Sequence, residues 1–304
     1  MTIDQLIHVL AAITLFEMMI AIGLSVTFGE LIGVARDWRL LIRAVAANYI
    51  GVPAAAIGLL ILFHAQPLVA TGFLIAAVCP GAPYGPPFTG LARGNIVVAV
   101  GLMVLLAGSS ALIAPLLLQL LVPLVAGDEP LQINAMKLVG TLLLAQLLPL
   151  AIGLGVRQWR PLWAERLKKP ANLLTTILNL VLLGLILVVQ YETLIGIPLR
   201  AFVGMSLLVL AALAIGWLLG EPGGVKRKTL AITTAVRNAG VCLVIASSSF
   251  AGTPAVTAAT VYALFQTISL ALIALSWGRA RLPIEGERKS PQTPADPVPK
   301  GAVP

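Results

Sequence analysis

Charge is what this sequence has least of. Of 304 residues only 11% are Asp, Glu, Lys or Arg, against 59% hydrophobic, and the mean hydropathy is +1.00. A soluble globule carries about 25% charged residues, so the composition points to a chain that lives in a bilayer. Cysteines and histidines number two each, with no metal-ligand spacing, and two cysteines do not define a disulfide without geometry. Cys79 and Cys242 therefore read as small apolar packing residues. No Walker loop, HExxH, Ser/His/Asp set or GxGxxG ahead of a helix is present, so neither an enzyme nor a cofactor-binding protein is expected. The start, MTIDQLIHVL, lacks a basic n-region and a small-residue cleavage site, so the first apolar segment is expected to be retained.

A net charge of +8 would suit a nucleic-acid partner, but its distribution argues otherwise. Threading the apolar segments back and forth places all of the 20 Lys and Arg except Lys137, Arg200 and Arg237 on one face. That is the positive-inside asymmetry of a membrane protein. It predicts an N-terminus outside, a cytoplasmic C-terminus and, for a bacterial-type chain, the inner membrane. Trp38, Trp159, Trp163, Trp217 and Trp277 mostly flank the basic loops, as interfacial anchors do.

Nine spans follow in order: Leu6 to Thr27, Leu41 to Phe63, a segment from Leu68 to Arg93, Ile96 to Val125, Lys137 to Val156, Ala171 to Gln190, Leu199 to Leu219, Thr229 to Phe250 and Ala255 to Trp277. An acidic loop at Gly127-Asp128-Glu129-Pro130 separates an N-terminal part, residues 1–130, from a C-terminal part, residues 131–282. Residues 283–304 are rich in Pro, Glu, Lys and Ser, with too little apolar surface to bury, and are expected to form a disordered cytoplasmic tail.

Two spans are interrupted. Cys79 to Asn95 carries four prolines and four glycines, and Pro80, Pro83, Pro86 and Pro87 cannot sit inside an unbroken helix. If Leu68 enters at one surface, Cys79 is only about 17 Å deeper, short of a hydrocarbon core about 30 Å thick. Gly81 and Gly85 add to the break. Arg237-Asn238-Ala239-Gly240 makes a second one in the middle of Thr229 to Phe250. Irregular backbone survives at such depth only where protein or water satisfies it, and paired breaks in two halves point to a transporter's binding site.

These motifs carry a resemblance. Cys79-Pro80-Gly81 with Leu91-Ala92-Arg93-Gly94-Asn95, then Ala231-Ile232 with Arg237-Asn238-Ala239-Gly240, resemble the paired crossing helices of the bile acid:sodium symporter family. Gly23-Leu24-Ser25, Asn48 and Pro53 fit the same order. The resemblance spans residues 16 to 277 and implies two inverted repeats, crossing helices at 68–94 and 229–250, and a core and a panel domain with substrate between them. The panel would comprise the first span and those at Lys137 to Val156 and Ala171 to Gln190, the first helix of the ten-span form being absent. The chain departs from the family at its sodium ligands. Gly85-Pro86 stands where a Ser-Asn pair is usual, and Thr233 and Arg237 replace a Glu and a Gln four apart, losing a carboxylate and adding a fixed positive charge. Asn48 stands for a Gln of the second sodium site. Hard cations take oxygen ligands, so the replacements argue against ordinary two-sodium coupling.

Arg237 is then open to three readings: bonded to carbonyls freed by the break, substituting for a sodium ion, or contacting an anion, for which its planar fork is suited. A charge at that depth costs roughly 2.5 to 3.5 kcal/mol unless offset. Glu17, at similar depth, either pairs with Arg237, carries a proton, or packs as a neutral carboxyl. Asn238 and Asn95 can satisfy freed backbone or face substrate. Thr89, Thr233 and Gln266 are further candidates, for which bonds within the helix are the competing reading. Arg93 marks a cytoplasmic helix end, and His8 reads as interfacial.

The reading that unites these features is a secondary transporter of an organic anion, and the resemblance is compatible with a steroid of the bile-acid kind, a keto acid, a pantoate-like acid or a sulfonate. It would work by alternating access with Na+, H+ or no coupling ion. A non-transporting membrane receptor or assembly protein on the same fold is the alternative.

Overall fold

The computed structural model describes residues 3–126, 133–189, 191 and 198–279. The loop at Gly127 to Pro130, Glu192 and the tail from Pro283 lie outside them. Among the described residues every regular element is helical. Seven stretches are long and apolar enough to cross a membrane: Gln5–Ser25, Trp38–Leu62, Ile96–Ala126, Ala135–Trp159, Leu199–Leu219, Gly224–Ser249 and Pro254–Arg279. The protein is an all-helical polytopic membrane protein.

In chain order the helices are α1 (Ile3–Ser25), α2 (Phe28–Arg36), α3 (Trp38–Ala46), α4 (Val52–Leu62), α5 (Pro67–Ala77), α6 (Gly85–Leu91), α7 (Ile96–Ala126) and α8 (Ala135–Leu142). Then come α9 (Leu148–Trp159), α10 (Pro161–Val189), α11 (Leu199–Leu219), α12 (Gly224–Ala235), α13 (Ala239–Ser249) and α14 (Pro254–Arg279). The turn between α1 and α2 is fixed by a capping box. Thr27 Oγ1 accepts from Glu30 N at 3.3 Å, and Glu30 Oε2 accepts from Thr27 N at 2.8 Å, two otherwise orphaned donors satisfied reciprocally. The bond from the Thr27 main chain holds the Glu30 carboxyl below the usual carboxylate range.

Two single π-turns, Ala47–Gly51 and Leu143–Leu147, interrupt otherwise continuous helices. Each stands just ahead of a proline, Pro53 or Pro149. A proline ring lacks the N–H and presses on the carbonyl one turn back, so the ladder slips by one residue, with Val52 N–H reaching Ala47 O and Leu148 N–H reaching Leu143 O. Such single π-turns are frequent at functional sites. Each of these two carries a fully buried amide, Asn48 and Gln146.

α1 packs along α9 and α10, α5 along α14 and α7, and α11 along α12 and α4. The α1–α9 seam is a contact between glycines. A Cβ on Gly23 would sit 2.8 Å from Gly153 Cα, and one on Gly153 would sit 2.9 Å from Gly23 Cα, so any larger residue pushes the two main chains apart.

Several sequence boundaries move. α12 begins at Gly224, so Lys226, Arg227 and Lys228 belong to the helix rather than to a loop, and Lys228 Nζ donates to Trp277 O at 3.0 Å. α10 begins at Pro161, which carries Arg166, Lys168 and Lys169 into its first turns. In the first crossing, Gly85, Pro86 and Pro87 lie outside the break and open α6, because a proline in the first turn loses an N–H that has no helical partner anyway. Gly240 is the second residue of α13 rather than part of the interruption. Its missing side chain admits α1, since a Cβ there would meet Met18 Cε at 2.9 Å.

Candidate functional site

The first break runs from Val78 to Tyr84. Pro80 and Pro83 remove two donors, and Gly81 adopts φ +83°, a conformation that L side chains rarely take. Its backbone also lies hard against α7, where a Cβ would come within 2.7 Å of Ala107 Cα. The geometry leaves the carbonyls of Ala77, Cys79 and Gly81 without helical partners, and all three are used elsewhere.

The second break is Val236-Arg237-Asn238. The Asn238 backbone N–H donates to Cys79 O at 2.8 Å and its Nδ2 to Gly81 O at 3.1 Å. Its Oδ1 accepts from Val241 N at 3.2 Å, capping α13. One residue thus ties the two interruptions together. The Arg237 main chain is completed by a side-chain amide: Arg237 N donates to Gln266 Oε1 at 3.1 Å, and Gln266 Nε2 donates to Arg237 O at 2.9 Å. Gln266 on α14 supplies what a neighbouring helical turn would have supplied. Protein therefore satisfies the irregular backbone, the condition under which it persists at membrane depth. The thiols of Cys79 and Cys242 meet at the same crossing, both buried and free.

The Arg237 side chain is 1% exposed. Its guanidinium donates to Ala77 O at 3.1 Å, to Asn48 Oδ1 at 2.6 Å and to Thr234 O. Ala77 ends α5 and Thr234 lies in the last turn of α12, so the cation sits between two helix C-termini, where the peptide dipoles present negative ends. Its Nε has no protein partner, nor do the neighbouring Thr234 Oγ1 and the Tyr262 hydroxyl. The titratable groups that feel its charge are Tyr262, Cys242, Cys79 and Tyr49. Among the described residues no carboxylate pairs with Arg237.

Of the residues singled out from sequence, Arg237, Asn238, Asn48 and Gln266 come together at this crossing. The others do not. Glu17 is half-buried on α1 and accepts from Thr175 Oγ1 of α10 at 2.5 Å, so its partner is a hydroxyl rather than Arg237. Thr233 Oγ1 bonds back to Thr229 O at 2.8 Å and Leu230 O at 3.2 Å within its own helix. Asn95 is an exposed cap of α7, with Oδ1 accepting from Val98 N at 3.1 Å. Its own N–H donates to Thr229 Oγ1 at 2.8 Å, joining the end of the first crossing to the start of the second. Thr89 is buried with its hydroxyl unpartnered. His8 Nδ1 lies 3.0 Å from Ser247 Oγ, in the last turn of α13.

Sequence reasoning missed Gln146. Its Nε2 donates to Ala107 O and, at 2.9 Å, to Ser110 Oγ, clasping α7 immediately behind Gly81. The signal was an amide three residues before Pro149 in an otherwise apolar run. Tyr49, one residue after Asn48, reaches the same helix, donating to Leu106 O at 3.0 Å.

The comparisons with known proteins agree with this architecture. The family model described as the Sodium Bile acid symporter family matches residues 12–197. The chain is 27% identical over 279 residues to the Uncharacterized sodium-dependent transporter YocS of Bacillus subtilis, covering 88% of this chain and 83% of that protein. It is 23% identical over 269 residues to the Probable sodium/metabolite cotransporter BASS2, chloroplastic, of Oryza sativa subsp. japonica, covering 88% of this chain and 63% of that protein. Matched over more than half its length and carrying two broken helices tied together at their interruptions, the chain belongs to the sodium bile acid symporter family.

Proposed function

We propose that this family member carries a small organic anion by alternating access, and that Arg237 stands where a coupling cation would otherwise bind. The observation that carries the reading is the guanidinium set among Ala77 O, Thr234 O and Asn48 Oδ1. Carbonyls freed at half-helix C-termini are what coordinates sodium in transporters of this general build. Here they already receive hydrogen bonds from a cation that cannot leave, and Thr233 brings no carboxylate. A sodium ion at this place would have to displace Arg237 against its own charge. Both relatives are named for sodium; in this chain we expect the cycle to run without it, driven by a proton gradient or by the substrate gradient alone.

In this reading the chain makes nine crossings in the cell (inner) membrane, with the N-terminus outside and the C-terminus in the cytoplasm. The group α1, α8 with α9, and α10 forms the panel that moves against the remaining helices, two repeats meeting near residue 130. Glu17, bonded to Thr175 inside that group, is the proton carrier. Uptake of pyruvate, pantoate and taurocholate into reconstituted vesicles, under imposed sodium or proton gradients, tests the proposal. Uptake of one of these acids without sodium is the expected result, with accumulation above the outside concentration where a proton gradient drives it. Accumulation that requires a sodium gradient overturns it. Thr233→Glu with Arg237→Gln restores the Glu and Gln of the family pattern and should make uptake sodium-dependent. Glu17→Gln should leave transport down a substrate gradient intact and abolish its response to pH.

A further inference from the structure

A cavity of about 550 Å³ opens at the end of the bundle where α4 stops and α5, α11 and α14 begin. Arg237, Asn238, Asn48 and Gln266 do not line it. Its body is apolar, walled by Leu59, Phe63, Phe73, Met205, Leu208 and Val261, while Arg200, His64 and Gln66 stand among its polar lining groups. The volume is that of a small-molecule site.

Two features give it a sign and a third adds a polar group. Among the described residues that line it, Arg200 is the cation and none is Asp or Glu. Two helices start beside it without a side-chain cap, α5 after Gln66 and α11 after Pro198, so their positive dipole ends and the first-turn N–H groups that follow Pro67 and Pro198 are left for an anion. His64 closes α4 with φ +47°, in a motif where Ala65 N bonds Leu60 O at 3.0 Å and His64 N bonds Ile61 O at 3.1 Å. Glycine is the usual residue there. The strained histidine instead adds an imidazole to the cavity lining.

We infer that this cavity is a second binding site, separate from the crossing, for an amphiphile with an apolar body and one anionic headgroup, the headgroup held by Arg200. A membrane-resident fatty acid and a soluble organic acid with an apolar tail share that chemistry. The inner wall adjoins the crossing. The Phe73 ring packs edge-on against Tyr262, with centroids 5.7 Å apart, and Tyr262 lies one turn before Gln266.

The test uses the full chain in phosphatidylcholine nanodiscs and a palmitate carrying a diazirine in its tail, with labelled peptides identified by mass spectrometry. Labelling is expected in the 56–73 and 198–208 peptides, competed by palmitate but not by its uncharged methyl ester. Arg200→Gln should cut it about tenfold, the value of one charged contact. Gly204→Leu should fill the space, since a Cβ there meets nothing nearer than Phe63 Cδ2 at 3.9 Å. Competition by octanesulfonate as strong as that by palmitate assigns the site to soluble acids, and competition by palmitate alone assigns it to the bilayer; either result supports the inference. Labelling spread evenly over the bundle, or methyl palmitate competing as well as palmitate, overturns it on the unaltered protein.

Discussion

The two interruptions reach the same depth by opposite means. The first, Val78 to Tyr84, is made by residues that cannot continue a helix, and it leaves main-chain carbonyls exposed to its neighbours. The second, Val236 to Asn238, contains no proline or glycine and is made by residues that supply donors. Arg237 and Asn238 give their hydrogen bonds to the carbonyls that the first break sets free. One break is a defect in propensity and the other is its chemical complement, and neither is stable in lipid without the other.

That asymmetry can be broken from either side. Arg237→Gln should do the most damage, because it orphans acceptors at both helix ends, each worth roughly 1 to 3 kcal/mol when buried. Thermal unfolding of the purified protein reads the loss, and a variant as stable as the parent would mean that burying the charge costs as much as its bonds return. Gly81→Ala comes next, at about 2 to 3 kcal/mol. It combines a left-handed backbone that costs an L residue about 1 to 2 kcal/mol with a methyl driven against α7. Gln266→Leu removes the bracket from the Arg237 main chain and should cost roughly 1 to 3 kcal/mol, with hydrogen exchange rising first at residues 236–238. Pro80→Ala should cost least, under about 1 kcal/mol, because Gly81 and the Asn238 bonds hold the turn without it. A collapse of that variant would make proline, rather than the partner strapped across it, the cause of the first break.

What could be read from the sequence was whatever is local. Four prolines in eight residues and an arginine inside an apolar run marked both interruptions, and the glycine and proline pattern carried the family. Partners could not be read in this way. Nothing in the sequence near Gln266 says that its amide will serve the backbone of a residue twenty-nine positions earlier. Glu17 and Arg237 looked like a natural pair at similar depth, yet Glu17 is turned toward Thr175 of α10 and the guanidinium toward carbonyls. The π-turns escaped because Pro53 and Pro149 read simply as tolerated helix prolines, although a proline there shifts the ladder by one residue and turns Asn48 and Gln146 inward. Boundaries at α10 and α12 moved because lysine and arginine, read as loop markers, are also good helix formers whose long stems let the head reach polar surroundings.

The bare contact between Gly23 and Gly153 bears on how such a protein can move. With no side chains at that point to act as bearings, α1 and α9 interlock main chain to main chain and cannot glide past each other without separating. Any gating stroke must therefore carry the pair as a single beam. In the proposed cycle the slip plane would fall along α7 instead, and the clasp of Gln146 on Ala107 and Ser110 would be the first thing such a stroke releases.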